Sequence, residues 1–308
     1  MSAIRIAIAR VVDGGSLSES EAREAMREHA TPVPAGGDLV DVVGTGGDGS
    51  QTLNISTLAA LIVVSAGGRV AKHGNRAVTS ACGSADFLEA IGIAIDLGPA
   101  QVARSIDQAG FGFMFAPLYH PAMRHAVLPR REIGVRTVFN ILGPLTNPAG
   151  VQRQLTGVAV AGLGELVAGA LARLGSQRAL VVHGADGVDE VSISAPTTVH
   201  ELRDGVVSTY QIAPEDVGLR RAEGASVRGG TVATNVAMAR SVLSGEPGAA
   251  RDVVAFNGGA ALYAAGLADS LVEGVREAER LLDSGAVSET LTRAARVTQE
   301  LRGAQAAS

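Results

Sequence analysis

The run Leu39-Val40-Asp41-Val42-Val43 leads straight into Gly44-Thr45-Gly46-Gly47-Asp48-Gly49, and an apolar helical stretch, Asn54 to Ala66, follows. A short apolar run that ends in glycines before a helix is a strand–loop–helix unit, and this unit recurs along the chain. Arg69 to Ala71 predicts a strand ending at Lys72, Ser84 to Ile91 and Ala100 to Gln108 predict helices, and Phe111 to Ala116 predicts the next strand. Arg153 to Leu163 and Ala179 to His183 read as further strands, with the helix Glu165 to Leu174 between them. Val188 to Ser194 and Thr198 to Arg203 read as an antiparallel addition. Such alternation dictates an α/β fold, a mainly parallel sheet flanked by helices on both faces. Pocket-forming loops then gather at the C-terminal ends of the strands, where the glycine loop and Lys72 both fall.

Either side of this alternation the pattern is helical. Ile4 to Val12 and Glu19 to His29 predict short helices, and Pro32-Val33-Pro34-Ala35-Gly36-Gly37 stops them. From Val232 to Leu301 amphipathic helices follow one another, with a breaker at Glu246-Pro247-Gly248. The chain is 46% hydrophobic but only 3% aromatic, so its core must be built from Ala, Val, Leu and Ile. A net charge of −5 argues against a nucleic-acid partner, which demands a dense basic face. One cysteine, Cys82, excludes an intramolecular disulfide and a cysteine-rich metal site. No stretch reads as a membrane span or signal-peptide core, so a cytoplasmic location is expected.

Lys72 is the only lysine; the rest of the 26 Lys+Arg residues are arginine. A chain this biased that still places one ammonium beside a glycine loop has use for a compact point charge. The loop's glycines let backbone N–H groups approach an anion, and the helix start at Asn54-Ile55-Ser56-Thr57 favours negative charge. Taken alone the loop is equally an ordinary glycine turn with a helix cap, and its spacing matches neither the Rossmann nor the Walker pattern. Lys72-His73-Gly74-Asn75-Arg76 would form a second wall of the same anion pocket. Asp189-Glu190 offers hard oxygens of the kind that hold Mg²⁺ together with substrate phosphates, although adjacent acids in a turn are most often merely solvated. The stretch His120-Pro121-Ala122-Met123-Arg124-His125 with Arg130-Arg131-Glu132 reads as a basic helix, either an exposed face or a carboxylate reader. No nucleophile motif of the Gly-x-Ser-x-Gly type is present. The chemistry suggested is transfer away from a phosphorylated, Mg²⁺-bound group without a covalent enzyme intermediate.

Taken together, these motifs resemble the anthranilate phosphoribosyltransferase family from about Arg23 to about Ala286. The resemblance rests on Gly-Thr-Gly-Gly-Asp at 44–48, Asn-Ile-Ser-Thr at 54–57, Lys-His-Gly-Asn-Arg at 72–76 and His-Pro-Ala-Met at 120–123. Thr137 to Pro148, containing Asn140 and Gly143, and the Asp189-Glu190 pair complete it. It implies a nucleoside phosphorylase/phosphoribosyltransferase-type fold. A small all-helical domain would cover residues 1–36, with the helical segment 120–145 packing onto it, and the α/β domain would comprise 37–119 and 146–308. It also implies transfer of the phosphoribosyl group of phosphoribosyl pyrophosphate to anthranilate, with Mg²⁺ as cofactor and a homodimer as the assembly. By resemblance, Gly44, Gly47, Asp48, Asn54, Ser56, Thr57, Lys72 and Ser84 hold the phosphoribosyl donor, and Ser56, Asp189 and Glu190 hold the metal. Gly44, His73, Asn75, His120, Arg130, Asn140 and Gly143 line the anthranilate path. Lys72, Asn75 and Arg130 are the catalytic candidates, with Arg130 reading the substrate carboxylate.

Two departures from the family pattern stand out. The N-terminal helical region is short, Leu17–Ala22 and Arg23–Pro34 being fused where relatives carry further helices. Thr79-Ser80-Ala81-Cys82-Gly83-Ser84 also replaces a more serine-rich run. The alternatives are a paralogue of the same fold with another amine acceptor or without catalysis, and a pyrimidine-nucleoside phosphorylase, which would not need Asp189-Glu190. A nucleic-acid-binding relative is disfavoured by the acidic balance.

Overall fold

In the computed structural model, residues 30–77, 81–121 and 141–306 are described. The expected helices before His29, the basic stretch around Arg130, and Asn140 lie outside them. Seven strands form one sheet in the order β3-β2-β1-β4-β5-β6-β7. The strands are β1 Leu39–Gly44, β2 Arg69–Gly74, β3 Phe111–Phe115, β4 Arg153–Gly157, β5 Arg178–Gly184, β6 Thr197–Arg203 and β7 Val206–Ile212. The first five run parallel, and β6 and β7 add on antiparallel. Because the chain leaves β1 toward β2 on one side and returns to β4 on the other, the strand order reverses between β1 and β4. A crevice opens at such a switch point, outside the strand C-terminal ends.

Both faces of the sheet are covered, and β5 shows how the sequence achieves this. Leu180 and Val182 enter the main core, while the alternate residues Ala179 and Val181 join a second cluster. That second cluster forms under helix α5 (Gly164–Arg173), which contributes Val167, Ala168, Ala170 and Leu171. The main core holds α1 (Ile55–Ser65), whose residues Leu58 to Val63 are wholly buried. A helix apolar on every side is stable only inside, and α1 lies against the sheet and the helix Ala249–Ala265. Helices α2 (Ser84–Ala90), α3 (Pro99–Ala109) and α4 (Ala116–Tyr119) follow α1 along the chain, and α6 (Val232–Leu243), α7 (Ala249–Ala265), α8 (Leu271–Asp283) and α9 (Ala286–Ala306) come after the sheet is complete. Among the described residues no helix is long and apolar enough to cross a membrane.

Three readings of the sequence are corrected. The strand expected over Arg153 to Leu163 stops at Gly157, and Ala161–Leu163 is a 3-10 turn. Val188 to Ser194 is not a strand. The partner of β6 on its outer side is instead β7, a hairpin strand that the sequence reading passed over.

Candidate active site

The pocket starts with two glycines. Gly44 ends β1 and is paired in register with Gly157, which ends β4. A Cβ on Gly157 would stand 1.6 Å from the Asp189 carbonyl oxygen, and one on Gly44 would stand 2.4 Å from Asp189 Oδ2. Only residues without side chains let the Asp189 loop settle onto the ends of both central strands. Beyond Gly44 the loop turns through Gly46, Gly47 and Gly49, all at left-handed φ. The Gly46 N–H donates to Asp189 Oδ2 at 2.6 Å, and the Thr45 N–H donates to the Gly157 carbonyl at 2.9 Å. Asp48 accepts from the Ser50 N–H at 3.2 Å and from the Ser50 hydroxyl.

The Asp189–Glu190 loop replaces the expected strand because a side chain supplies its backbone bonds. Asn257, fully buried in α7, accepts from the Val191 N–H at 2.9 Å and donates to the Val191 carbonyl at 2.8 Å. One amide thus satisfies both backbone groups that a neighbouring strand would have paired. The Ser192 N–H bonds the Thr197 hydroxyl at 2.9 Å. The acids are therefore carried on a firmly held irregular segment.

Lys72 lies within the C-terminal half of β2, which runs on to Gly74 and not only to Lys72 as expected, and is only 1% exposed. Its ammonium donates to the Val42 carbonyl and, at 3.3 Å, to the Ser56 hydroxyl at the start of α1. Burial pulls its pKa down, while Asp41 and Glu190 pull it up. Asp41, in the middle of β1, was not singled out from the sequence, although a lone carboxylate within an apolar strand was the available signal. Burial pushes it up to about 6, against the opposing pull of Lys72 and a hydrogen bond from Asn147. Asn147 Nδ2 donates to Asp41 Oδ2 at 2.7 Å and to the Ala71 carbonyl at 2.8 Å, tying β1 to β2 below the pocket. The His73 N–H also donates to Asp41, at 3.3 Å.

On the other wall the acids crowd one another. Burial first, then the charge of Asp48, raise Asp189 to about 7. Glu190 is raised well above its usual range by burial and by Asp189, against Lys72 and the Ser56 N–H. Buried carboxylates that resist ionisation and stand near like charge suit a cation, which favours their ionised form. Among the described residues no three His, Cys, Asp or Glu side chains form a self-sufficient metal cage. Two adjacent carboxylates, with Glu190 accepting from the Ser56 N–H, fit a hard ion that keeps waters and takes phosphate oxygens as its remaining ligands. A cavity of about 320 Å³ adjoins them, lined among others by Ser50, Thr52, Glu190, Ser192 and Arg228.

His73 and His120 form the remaining wall. Their rings lie 4.9 Å apart between centroids, and both residues are buried. His73 Nδ1 faces the Gly143 carbonyl at 3.3 Å, and among the described residues neither Nε2 has a partner. Burial and the neighbouring His120 depress His73 to about 3, and burial lowers His120 as well, so this wall stays neutral. Asn75 is exposed just beyond, its carbonyl accepting from the Ser84 hydroxyl at 3.2 Å. Asn54 occupies the N-cap position of α1 without a side-chain cap bond, and Thr57 is buried within the helix, its hydroxyl without a partner among the described residues. Of the residues named from sequence, the structure gathers Gly44, Gly47, Asp48, Ser56, Lys72, Asp189 and Glu190 around the switch point. His73, His120 and Gly143 meet at one side of it. Arg130 and Asn140 are not among the described residues.

The sequence pattern of the glycosyl transferase family, a/b domain, matches residues 36–288. The anthranilate phosphoribosyltransferase of Thioalkalivibrio sulfidiphilus is 56% identical over 271 residues, 88% of this chain and 80% of that protein. The crystal structure of anthranilate phosphoribosyltransferase from Thermus thermophilus superposes with a TM-score of 0.86 at 41% identity, covering 97% of this chain and 100% of that one. The Saccharomyces cerevisiae anthranilate phosphoribosyltransferase, solved in complex with PRPP and Mg, gives a TM-score of 0.82 at 29% identity, covering 91% of this chain and 79% of the yeast chain.

Proposed function

The chain belongs to the anthranilate phosphoribosyltransferase family, and on that premise we propose that its pocket transfers phosphoribosyl from phosphoribosyl pyrophosphate to the amine of anthranilate, releasing pyrophosphate. The observation that carries this reading is the meeting, at the sheet's switch point, of an anion-cradling glycine loop, one buried ammonium and an acidic pair. Few substrates other than a metal-complexed diphosphate call for both signs of charge side by side in one buried pocket.

In this reading, the N–H groups of the 44–49 loop and the Lys72 ammonium bind the pyrophosphate and stabilise the negative charge that grows on it as it leaves. Asn54, Ser56, Thr57 and Ser84 add polar contacts along the same groups, with Gly47 giving the backbone close approach. Ser56, Asp189 and Glu190 hold Mg²⁺, which when bound neutralises phosphate charge. Burial lowers the pKa of Lys72, and an arriving phosphate opposes that shift by favouring the charged ammonium.

The acceptor enters beside His73, Asn75, His120 and Gly143, with Arg130 and Asn140 completing that side and Arg130 forking onto the carboxylate. The neutral His73–His120 pair offers hydrogen-bonding nitrogen without adding positive charge near an oxocarbenium-like ribose C1. An aryl amine is already unprotonated at neutral pH, so positioning it at C1 supplies most of what the step needs. A homodimer and a cytoplasmic location belong to the same reading.

The test is pyrophosphate release from phosphoribosyl pyrophosphate under Mg²⁺. Release that depends on anthranilate supports the assignment. Equal kcat/KM with other aromatic amines would instead favour a paralogue with a different acceptor. Phosphate-driven release of a free base from pyrimidine nucleosides would contradict the assignment.

A further inference from the structure

Asn54 is held by a residue far along the chain. Asn235, in α6, is 1% exposed, and its Nδ2 donates to Asn54 Oδ1 at 2.8 Å. Its Oδ1 accepts from the Gly230 N–H at 2.8 Å, so the direction of its own amide is fixed. The Cys82 thiol also donates to Asn54 Oδ1 at 3.4 Å, and Asn54 Nδ2 donates to the Cys82 carbonyl at 3.4 Å. Asn235 is a hydrogen-bond partner of the Cys82 sulfur as well.

The segment carrying Asn235 also grips the backbone just ahead of Asn54. The Gly229 N–H donates to the Gln51 carbonyl at 2.8 Å, the Leu53 N–H donates to the Val227 carbonyl at 3.1 Å, and Thr52 and Arg228 form an isolated antiparallel bridge. Gln51 is held there at a φ of 52°, a conformation that a side chain adopts only when its surroundings impose it. The segment 227–235 is therefore a strap across the exit of the glycine loop.

An asparagine amide can present either its oxygen or its NH₂ group, and an anion accepts only the second. With Asn54 Oδ1 committed to Asn235 and Cys82 and one Nδ2 hydrogen on the Cys82 carbonyl, the second N–H is what remains to face the anion pocket. We propose that Asn235 is a positioning residue for the transfer, fixing Asn54 as a hydrogen-bond donor to the phosphoribosyl donor's phosphates. This rests on the reading of Asn54 as a ligand of that substrate.

Asn235→Asp separates this role from a structural one. The introduced carboxylate still accepts from the Gly230 N–H, but it draws the Asn54 NH₂ group toward itself and turns the Asn54 oxygen to the phosphates. Affinity for phosphoribosyl pyrophosphate with Mg²⁺, measured by calorimetry, should weaken about tenfold, the value of one lost charge-assisted hydrogen bond. The KM for anthranilate should stay within about twofold. On an Asn54→Ala background the same substitution should change donor affinity by no more than about twofold, because it acts through Asn54.

An equal effect in both backgrounds would mean direct charge repulsion and would overturn the proposal, as would unchanged donor affinity in Asn235→Asp. If Asn54→Ala alone leaves donor affinity intact, the ligand reading of Asn54 fails and takes this inference with it. If Asn54→Ala weakens binding and Asn235→Asp does not, only the inference falls. Should Asn235→Asp fail to fold, Gly229→Ala serves in the same cycle. Its added Cβ would stand 2.3 Å from Asn235 Oδ1 and displace that amide without adding a charge.

Discussion

Gly44→Ala tests how closely the glycine loop and the acidic pair depend on one another. The new Cβ would stand 2.4 Å from Asp189 Oδ2 and 3.1 Å from its Cγ, whereas ordinary contact begins at 3.4 Å. The carboxylate must therefore withdraw by about 1 Å, and as the end of a side chain it can do so without unfolding the strand. The Gly46 N–H bond, now 2.6 Å, then opens beyond hydrogen-bonding distance. Losing a bond to a charged acceptor costs about 1.5–3 kcal/mol, and the part of it that preorganises the loop for the donor appears in affinity, with a ceiling of about 10- to 150-fold. The lost N–H also removes one influence that keeps Asp189 ionised, so its proton is held still more tightly. Calorimetry of phosphoribosyl pyrophosphate with Mg²⁺ is the assay, together with circular dichroism to establish that the variant is folded. A folded Gly44→Ala protein that binds the donor as tightly as the parent would refute the argument that Asp189 and the loop form one site. Gly157→Ala is the contrasting case. Its Cβ would meet the Asp189 backbone carbonyl at 1.6 Å, which no side-chain rotation relieves, so that variant should lose thermal stability outright.

Three further outcomes are expected. Lys72→Met should lower turnover by about 10²–10³, the usual effect of deleting one charge-stabilising donor, and parental kinetics would remove Lys72 from the mechanism. Arg130→Ala should raise the KM for anthranilate far more than that for the donor, and equal effects on both would contradict its carboxylate role. His73 sets a pH dependence of stability. Its folded pKa of about 3 lies below the unfolded 6.5, so the contribution is fully present above 6.5 and is lost as pH falls toward 3. At about pH 5 that loss is about 2 kcal/mol, so the melting temperature of the parent should fall more steeply from about pH 7 to about pH 5 than that of His73→Leu; parallel curves would show His73 to be solvated.

Much of this was legible in the sequence, and what was missed shares a physical cause. Strands β1 to β5 and helix α1 declare themselves through local pattern, apolar runs punctuated by glycine, and the switch-point crevice follows from their alternation. β7 escaped because it is a mostly exposed edge strand, Val206-Val-Ser-Thr-Tyr-Gln-Ile212, whose face toward solvent carries no hydrophobic period. Val188 to Ser194 deceived because Val188, Val191 and Ile193 look like strand residues. The backbone partner of Val191 is the Asn257 side chain, 66 positions away, and no local pattern encodes that. In the site, the motif residues around Gly44, Lys72 and Asp189 were readable, since each type is chemically conspicuous where it stands. Asp41, Asn147 and Asn235 were not singled out. Their importance lies in which atoms they touch across the sheet or from α6, and only the fold brings those atoms together.

The most direct measurement of the central claim is anthranilate fluorescence followed after adding phosphoribosyl pyrophosphate, with and without Mg²⁺. The account predicts a decay of fluorescence that requires both donor and metal, as anthranilate is converted to its phosphoribosyl derivative. Unchanged fluorescence in a protein that binds donor and Mg²⁺ by calorimetry would contradict it, since an intact phosphate half would then stand beside a site that does not use anthranilate.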